Sequence, residues 1–429
     1  MQKTVIYKGD SNNTRKAKKS FNSYLRRKNK QYNNSVKRIQ LKKTGKYHGL
    51  KKAIIRFDEE IEKFCNANYR LSNQNARLVL KLNTNFSLFN DPATVLLSLL
   101  NLLTHAKELQ IYPKITYDGY VSFGAIYLID NLCWEIAKKR KWIVDFNKFP
   151  SEQKSILSNI RSFVSSIVDD ENELMINEKV LINRNEDSGS NQRYRTKATE
   201  ITNMIQQSFK QSTDNASYEL PLEIHGAVKS AIGEQFDNIL LHATDTSHGT
   251  LCTFFNKLTQ EITILIYNFG KTISETLTSE NLPDEMWAKM EQLLINHQKK
   301  NFWNLTQGSE FTLENALTLF ALQEGISSRI KFDITRGHGL MDFISNCFEL
   351  SEDSRVAIIS GRTAIKIDKK HPIAHQFVFG RMRRVISLNN ENDIFSKPDP
   401  NYITSIGVAF NGVIIETTIP LKIKNDGNS

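Results

Sequence analysis

Three polar residues, Glu234, Asn238 and His242, recur every four positions between Ile224 and Ala243. Ile224, Val228, Ile232, Phe236 and Leu240 recur at the same step, two residues out of phase. Two residues correspond to about 200° around a helix of 3.6 residues per turn. A helix here therefore carries an apolar stripe on one side and a carboxylate, an amide and an imidazole in a column on the other. Such a column can hold a metal ion and a proton acceptor beside a ligand. Taken alone, it is also what any amphipathic helix with a solvated polar face shows.

Two further motifs lie downstream. Glu261 to Tyr267, with Ile262, Ile264 and Ile266 in alternation, reads as a strand ending in Asn268-Phe269-Gly270, where the glycine lets a flat ring approach the backbone. Thr335-Arg336-Gly337-His338-Gly339-Leu340 leads into a helix, because Leu340, Phe343, Ile344 and Cys347 sit at i, i+3, i+4 and i+7. Exposed N–H groups at that helix start, with the positive end of its dipole, make a ready phosphate site, although glycine pairs before a helix are also common as mere turns.

The elements that must position these motifs follow from the same periodicities. A strand is expected at Leu251 to Asn256, and a helix at Thr312 to Glu324 with Gly325 as its C-cap. Upstream, Ala76 to Leu82, Ile111 to Tyr117 and Trp142 to Phe146 read as strands, alternating with helices at Pro92 to Leu109 and Gly119 to Lys141. That alternation predicts a small α/β domain with a partly parallel sheet. Further helices are expected at Ser151 to Ile167 and Thr196 to Gln211, separated by polar loops that mark a boundary.

Composition bounds the rest. The 429 residues allow two or three domains, and 40% hydrophobic with 24% charged residues is ordinary for a globular protein. The net charge of +11 is concentrated in residues 1–52, where 17 lysines and arginines face a single acid, Asp10. Tyr7, Phe21, Tyr24, Tyr32 and Tyr47 are interleaved with those bases, so the tail suits either nucleic acid or an acidic protein surface, or serves as a solvated tail. Cys65, Cys133, Cys252 and Cys347 are isolated, which suits reduced thiols and not a zinc site. The apolar run Val95 to Leu103 is too short to span a bilayer. The N-terminus lacks the apolar core of a secretory signal, so the expected location is cytoplasmic and off the membrane.

The order Glu234-x-x-x-Asn238-x-x-x-His242-Ala243, Asn268-x-Gly270, Gly337-x-Gly339-Leu340 resembles the GHKL ATP-binding family, which includes histidine-kinase catalytic domains, anti-sigma-factor kinases and gyrase. Leu-Gln-Glu-Gly-Ile-Ser-Ser at 322–328 and the strand Ile414 to Ile419 before Pro420 add to the likeness, which covers about 220–425. Phe86 to Pro92 and Asp118 to Gly124 resemble STAS-like domains, which pair with such modules in bacterial regulation.

The resemblance implies a Bergerat-type α/β sandwich at 220–429, a helix layer on a mixed β-sheet, with a lid around 271–336. A linker and helix at 171–219, the small α/β domain at 53–170 and the basic tail precede it. It implies ATP and Mg²⁺ as cofactors. Asn238 would coordinate Mg²⁺, Glu234 would be the base, and Gly270 would make room for adenine. Gly337, Gly339 and Arg336 would hold the phosphates, with His242 and Leu340 lining the ligand. Two positions depart from the family: Asn268 stands where an aspartate accepts a bond from the adenine amino group, and Gly412-Val413 stands where Gly-Thr is usual. The implied function is a regulatory ATPase whose lid closure is coupled to the N-terminal domain, with a homodimer left open. The alternatives are an anti-sigma-like Ser/Thr kinase, or a non-catalytic nucleic-acid-binding or scaffold protein with a degenerate site.

Overall fold

The computed structural model describes residues 79–82, 86–109, 114–117, 175–180, 249–256, 259–277, 311–326 and 338–420 apart from 379, with parts of 122–132, 196–207, 222–233 and 284–291. Strand β1 (Val79–Leu82) pairs in parallel with β2 (Lys114–Tyr117), Val79 opposite Lys114 and Leu82 opposite Tyr117. Parallel neighbours need a crossover, which helix α1 (Pro92–Leu109) supplies. Asp91 opens α1 by accepting from the Thr94 N–H at 3.0 Å, and Pro92 follows at the first helical position. Val95, Leu96, Leu99 and Leu100 form its buried stripe. These elements agree with the strand, helix, strand order read from the sequence. The expected strand Trp142 to Phe146 and helix Ser151 to Ile167 lie outside the described residues.

A second sheet contains five strands in the order β3 (Met175–Val180), β4 (Gly249–Asn256), β5 (Glu261–Phe269), β9 (Ile403–Pro420), β6 (Arg355–Ile367). Every neighbouring pair among these strands is antiparallel, which corrects the mixed sheet expected there. The expected linker contributes an edge strand, β3, to this sheet. Its sequence, Met-Ile-Asn-Glu-Lys-Val, is half polar, as suits an edge.

One face of the sheet carries helices. Ile262, Ile264 and Ile266 of β5, Val356 and Ile358 of β6, and Ile415 and Ile419 of β9 form one buried cluster. Val228, Ala231 and Ile232 from the helical residues 225–233 join it, as do Met341, Phe343, Ile344 and Cys347 from α4 (Gly339–Leu350). The stripe read from Val228 and Ile232, and the spacing read from Phe343, Ile344 and Cys347, are thus core positions. Short helix α2 (Ile273–Thr276) and helix α3 (Leu313–Ala321) lie beside β6, each opened by a capping box, on Thr272 with Glu275 and on Thr312 with Asn315. Gly325, expected as the C-cap of α3, has φ +71, but it stands three residues beyond the observed C-cap, Leu322.

The opposite face meets the N-terminal part of the chain. The Phe123 ring stacks on Phe254 of β4 at 4.3 Å, and α1 packs against β9. A hairpin, β7 (Ala374–Val378) and β8 (Arg381–Val385), turns at Gly380 with φ +79 and packs Val378 and Val385 against Ala316, Leu317 and Phe320 of α3. No helix among the described residues is long and apolar enough to cross a membrane.

Candidate functional site

The most informative expected residue is Asn268. It ends β5 one step beyond Ile266 in the alternation, so it belongs to the helix-facing side of the sheet, at the point where the chain leaves the strand. Its register partners are Gly249 on β4 and Val413 on β9. Neither side chain can hydrogen-bond. Asn268 is 5% exposed, and its Nδ2 is buried without a partner. Leaving such a donor unpaired costs about 1–3 kcal/mol, so the position asks for an acceptor that none of the described residues provides.

The backbone around Asn268 is held closely. Gly412 has φ +145, and a Cβ there would collide with the Asn268 carbonyl oxygen, so only glycine fits. The Gly270 N–H donates to the Asn411 carbonyl at 3.1 Å. The Ser360 hydroxyl donates to the Gly412 carbonyl at 3.3 Å and accepts from the Ile273 N–H at 2.8 Å, tying β6, β9 and the start of α2 together. The sequence motif Asn268-x-Gly270 and the pair Gly412-Val413, about 140 positions apart, therefore form one corner of the sheet.

The second expected motif begins α4. Gly339 is its first residue, and His338 is the N-cap without a side-chain cap bond. Leu340 is half-buried against the helix-face core. The His338 Nδ1 lies 3.3 Å from the Glu324 carboxylate. A charged network not anticipated from the sequence surrounds this helix start. Arg384 bonds through its guanidinium to Glu324 at 3.0 Å, to Asp342 in the first turn of α4, and to the Ser345 hydroxyl at 3.2 Å. The Arg384 backbone N–H also donates to the Glu324 carboxylate at 2.6 Å, and Arg383 donates to the Glu324 carbonyl at 2.7 Å. Burial alone would raise the Glu324 pKa, but the Arg384 N–H and guanidinium, with His338, hold it below the ordinary range. The Leu322 to Gly325 stretch is thereby clamped to β8. Gln323 adds bonds from its amide to the Leu319 and Ile386 carbonyls, and accepts from the Ile386 N–H at 2.8 Å.

A third feature lies on the other face of β9. Glu416, three residues after Val413, is 3% exposed and accepts from the Gly124 N–H at 3.0 Å. Burial pushes its pKa up to about 7, against smaller downward effects of the Ser122 hydroxyl, the Gly124 N–H and the Arg355 charge. The partners are 292 positions apart, so no local pattern announces the contact.

Glu234, Asn238, His242, Arg336 and Gly337 lie outside the described residues, as do the basic tail and, within the expected lid, residues 278–283, 286, 289, 292–310 and 327–336. Among the described residues, no group of three histidines, cysteines or acids is arranged to hold a metal ion. Comparison with family models, with curated proteins and with solved structures yields no match to this chain.

Proposed function

We propose that this chain is a cytoplasmic regulatory ATP-binding protein of the GHKL type, with residues 220–429 as a Bergerat-type nucleotide module and ATP hydrolysis as its reaction. One observation carries the reading. Asn268, the position expected to meet the adenine amino group, and Gly412-Val413, which stands in place of the family's Gly-Thr, are cross-strand neighbours at the end of the sheet, and the buried Asn268 amide nitrogen lacks a partner. A base at this end of the sheet would satisfy it through a ring-nitrogen acceptor. Gly339 at the start of α4 supports the phosphate end of the same reading.

The residues then divide the work. Asn238 would hold Mg²⁺, which neutralises phosphate charge when bound, and Glu234 one turn earlier would orient and deprotonate a water. Arg336, Gly337 and Gly339 would hold the phosphates, and His242 and Leu340 would border the ligand. Strand β9 offers a route for coupling. It borders the base position through Val413 and meets the N-terminal part through Glu416 on its reverse face. A shift of β9 on nucleotide binding would strain or relax the Glu416 bond to Gly124. The STAS-like reading of 53–170, the docking of a partner there, and contact of residues 1–52 with nucleic acid or an acidic protein belong to the same proposal.

The test is calorimetric titration with a non-hydrolysable ATP analogue and Mg²⁺, on the wild-type chain and on Asn238→Ala. Binding that the variant loses supports the reading, and absence of binding to the wild type sinks it. The missing charge at Asn268 and the missing hydroxyl at Val413 favour a second reading, a nucleotide-binding switch without turnover. Under that reading, Glu234→Ala leaves function unchanged.

A further inference from the structure

We propose that Arg381 and Arg383, which close on Gly325, form a binding site for a phosphate dianion. This is independent of the nucleotide reading, since the observations lie on the β7–β8 hairpin and not at Asn268. Arg381 and Arg383 are two positions apart on β8, so they share one face of the hairpin, the face on which Val378 and Val385 meet α3. Gly325, just past α3, meets both: a Cβ there would overlap the Arg383 Nη1 and the Arg381 Nη2. The two guanidiniums therefore converge on one point, and a glycine at φ +71 is what leaves them room. Their charge is not balanced there. Arg383 is 4% exposed, and its hydrogen bonds go to the backbone carbonyls of Val378 at 3.2 Å and Glu324 at 2.7 Å. The carboxylates of Glu324 and Asp342 are both engaged by Arg384, and neither Arg381 nor Arg383 has a carboxylate within ion-pair distance among the described residues. Between Asp368 and Glu391 the chain contains no acid. Burial and the Arg381 charge both pull the Arg383 pKa down, against the opposite effect of Glu324. Two like charges held together, one buried and one exposed, are stabilised by an anion between them.

The donors decide which anion fits. Each guanidinium is a flat fork that meets two oxygens at once. Two forks carry two positive charges, which a phosphate dianion matches in charge and in the oxygens it offers. A lone carboxylate brings one charge and two oxygens, so one fork goes unmatched. Chloride brings no oxygen geometry at all. Arg383 is anchored through its Nε and Nη1, which fixes its remaining N–H groups for a ligand. Arg381, exposed and without a hydrogen bond among the described residues, opens the site to solvent and completes it.

The experiment titrates inorganic phosphate into the full chain by phosphorus NMR at about pH 8, where phosphate is a dianion, with chloride holding the ionic strength constant. It compares the wild type with Arg381→Gln. We expect a wild-type Kd on the order of 1 mM, weakened about tenfold or more in the variant. In chloride alone the variant should melt no lower than the wild type, because it loses a repulsion and no bond. Added phosphate should raise the wild-type melting temperature and leave that of the variant unchanged. Absence of phosphate binding to the wild type, or equal affinity in the two proteins, overturns the inference. A variant that melts lower in chloride also overturns it, because Arg381 would then be a structural contact. Repeating the titration on chain saturated with a non-hydrolysable ATP analogue and Mg²⁺ identifies the source of the phosphate. Undiminished binding marks a site of its own for free phosphate or a phosphomonoester, and competition marks the terminal phosphate of the nucleotide. If the analogue does not bind, the nucleotide reading fails while the phosphate result stands.

Discussion

Glu416→Gln should change how stability depends on pH, and the sign and size follow from the contact with Gly124. Burial raises the Glu416 pKa from the ordinary 4.5 to about 7. Between those values the folded protein keeps the proton while the unfolded chain has released it. Stability therefore falls as pH rises through that window and levels off above it. At 1.36 kcal/mol per unit, the full window is worth about 3 kcal/mol. Glutamine keeps an acceptor for the Gly124 N–H and carries no titrating proton. The assay is urea denaturation of both proteins at several values from about pH 5 to about pH 8, taking the difference between them so that other titrating groups cancel. We expect the wild type to lose about 2–3 kcal/mol relative to the variant across that range. A difference that stays flat, or that grows in favour of the wild type as pH rises, would refute the burial of Glu416 by the N-terminal segment. The coupling route through β9 would fall with it.

Three further outcomes follow from particular contacts. Gly412→Ala forces a Cβ against the Asn268 carbonyl at a φ of +145 and should cost about 2 kcal/mol or more in a thermal melt. Gly226→Ala, at an open helical position, should be neutral or stabilise by up to about 1 kcal/mol, so equal effects would contradict the packing at Gly412. Arg384→Met removes the shared partner of Glu324 and Asp342 and should cost about 1–3 kcal/mol by urea denaturation, with an unchanged midpoint as the contrary result. Cys252 and Cys347 are buried thiols whose pKa burial pushes far up, so mass mapping should find both unmodified by a thiol reagent in the native protein and modified after denaturation. Fast native labelling of either would place it at the surface.

The legible parts of the fold are those whose side chains face one core. The Ile262, Ile264 and Ile266 alternation identified β5, and the Leu340 to Cys347 spacing identified α4, because each buries a single face or stripe. Strand β6 is less legible. Nearly every residue from Val356 to Ile365 is buried, so it shows no alternation, and Gly361 interrupts it at a bulge. The half-polar β3 reads as a loop until its partner β4 is known. The same limit applies to the site. Asn268 and Gly270 carry a local signature, whereas Glu416 with Gly124 and Arg384 with Asp342 are made by chain crossings that no short window contains. Gly249, which faces Asn268 without a side chain, becomes meaningful only through the strand register.

The central claim is that a nucleobase sits against β5 and β9 at Asn268 and Val413. Photolabelling with an azido-adenine derivative of ATP and Mg²⁺, followed by peptide mapping, tests it most directly. The account predicts label in peptides spanning 262–272 or 408–416, suppressed by excess unlabelled ATP. Label confined to the basic residues 1–52, or label that ATP does not suppress, would contradict it.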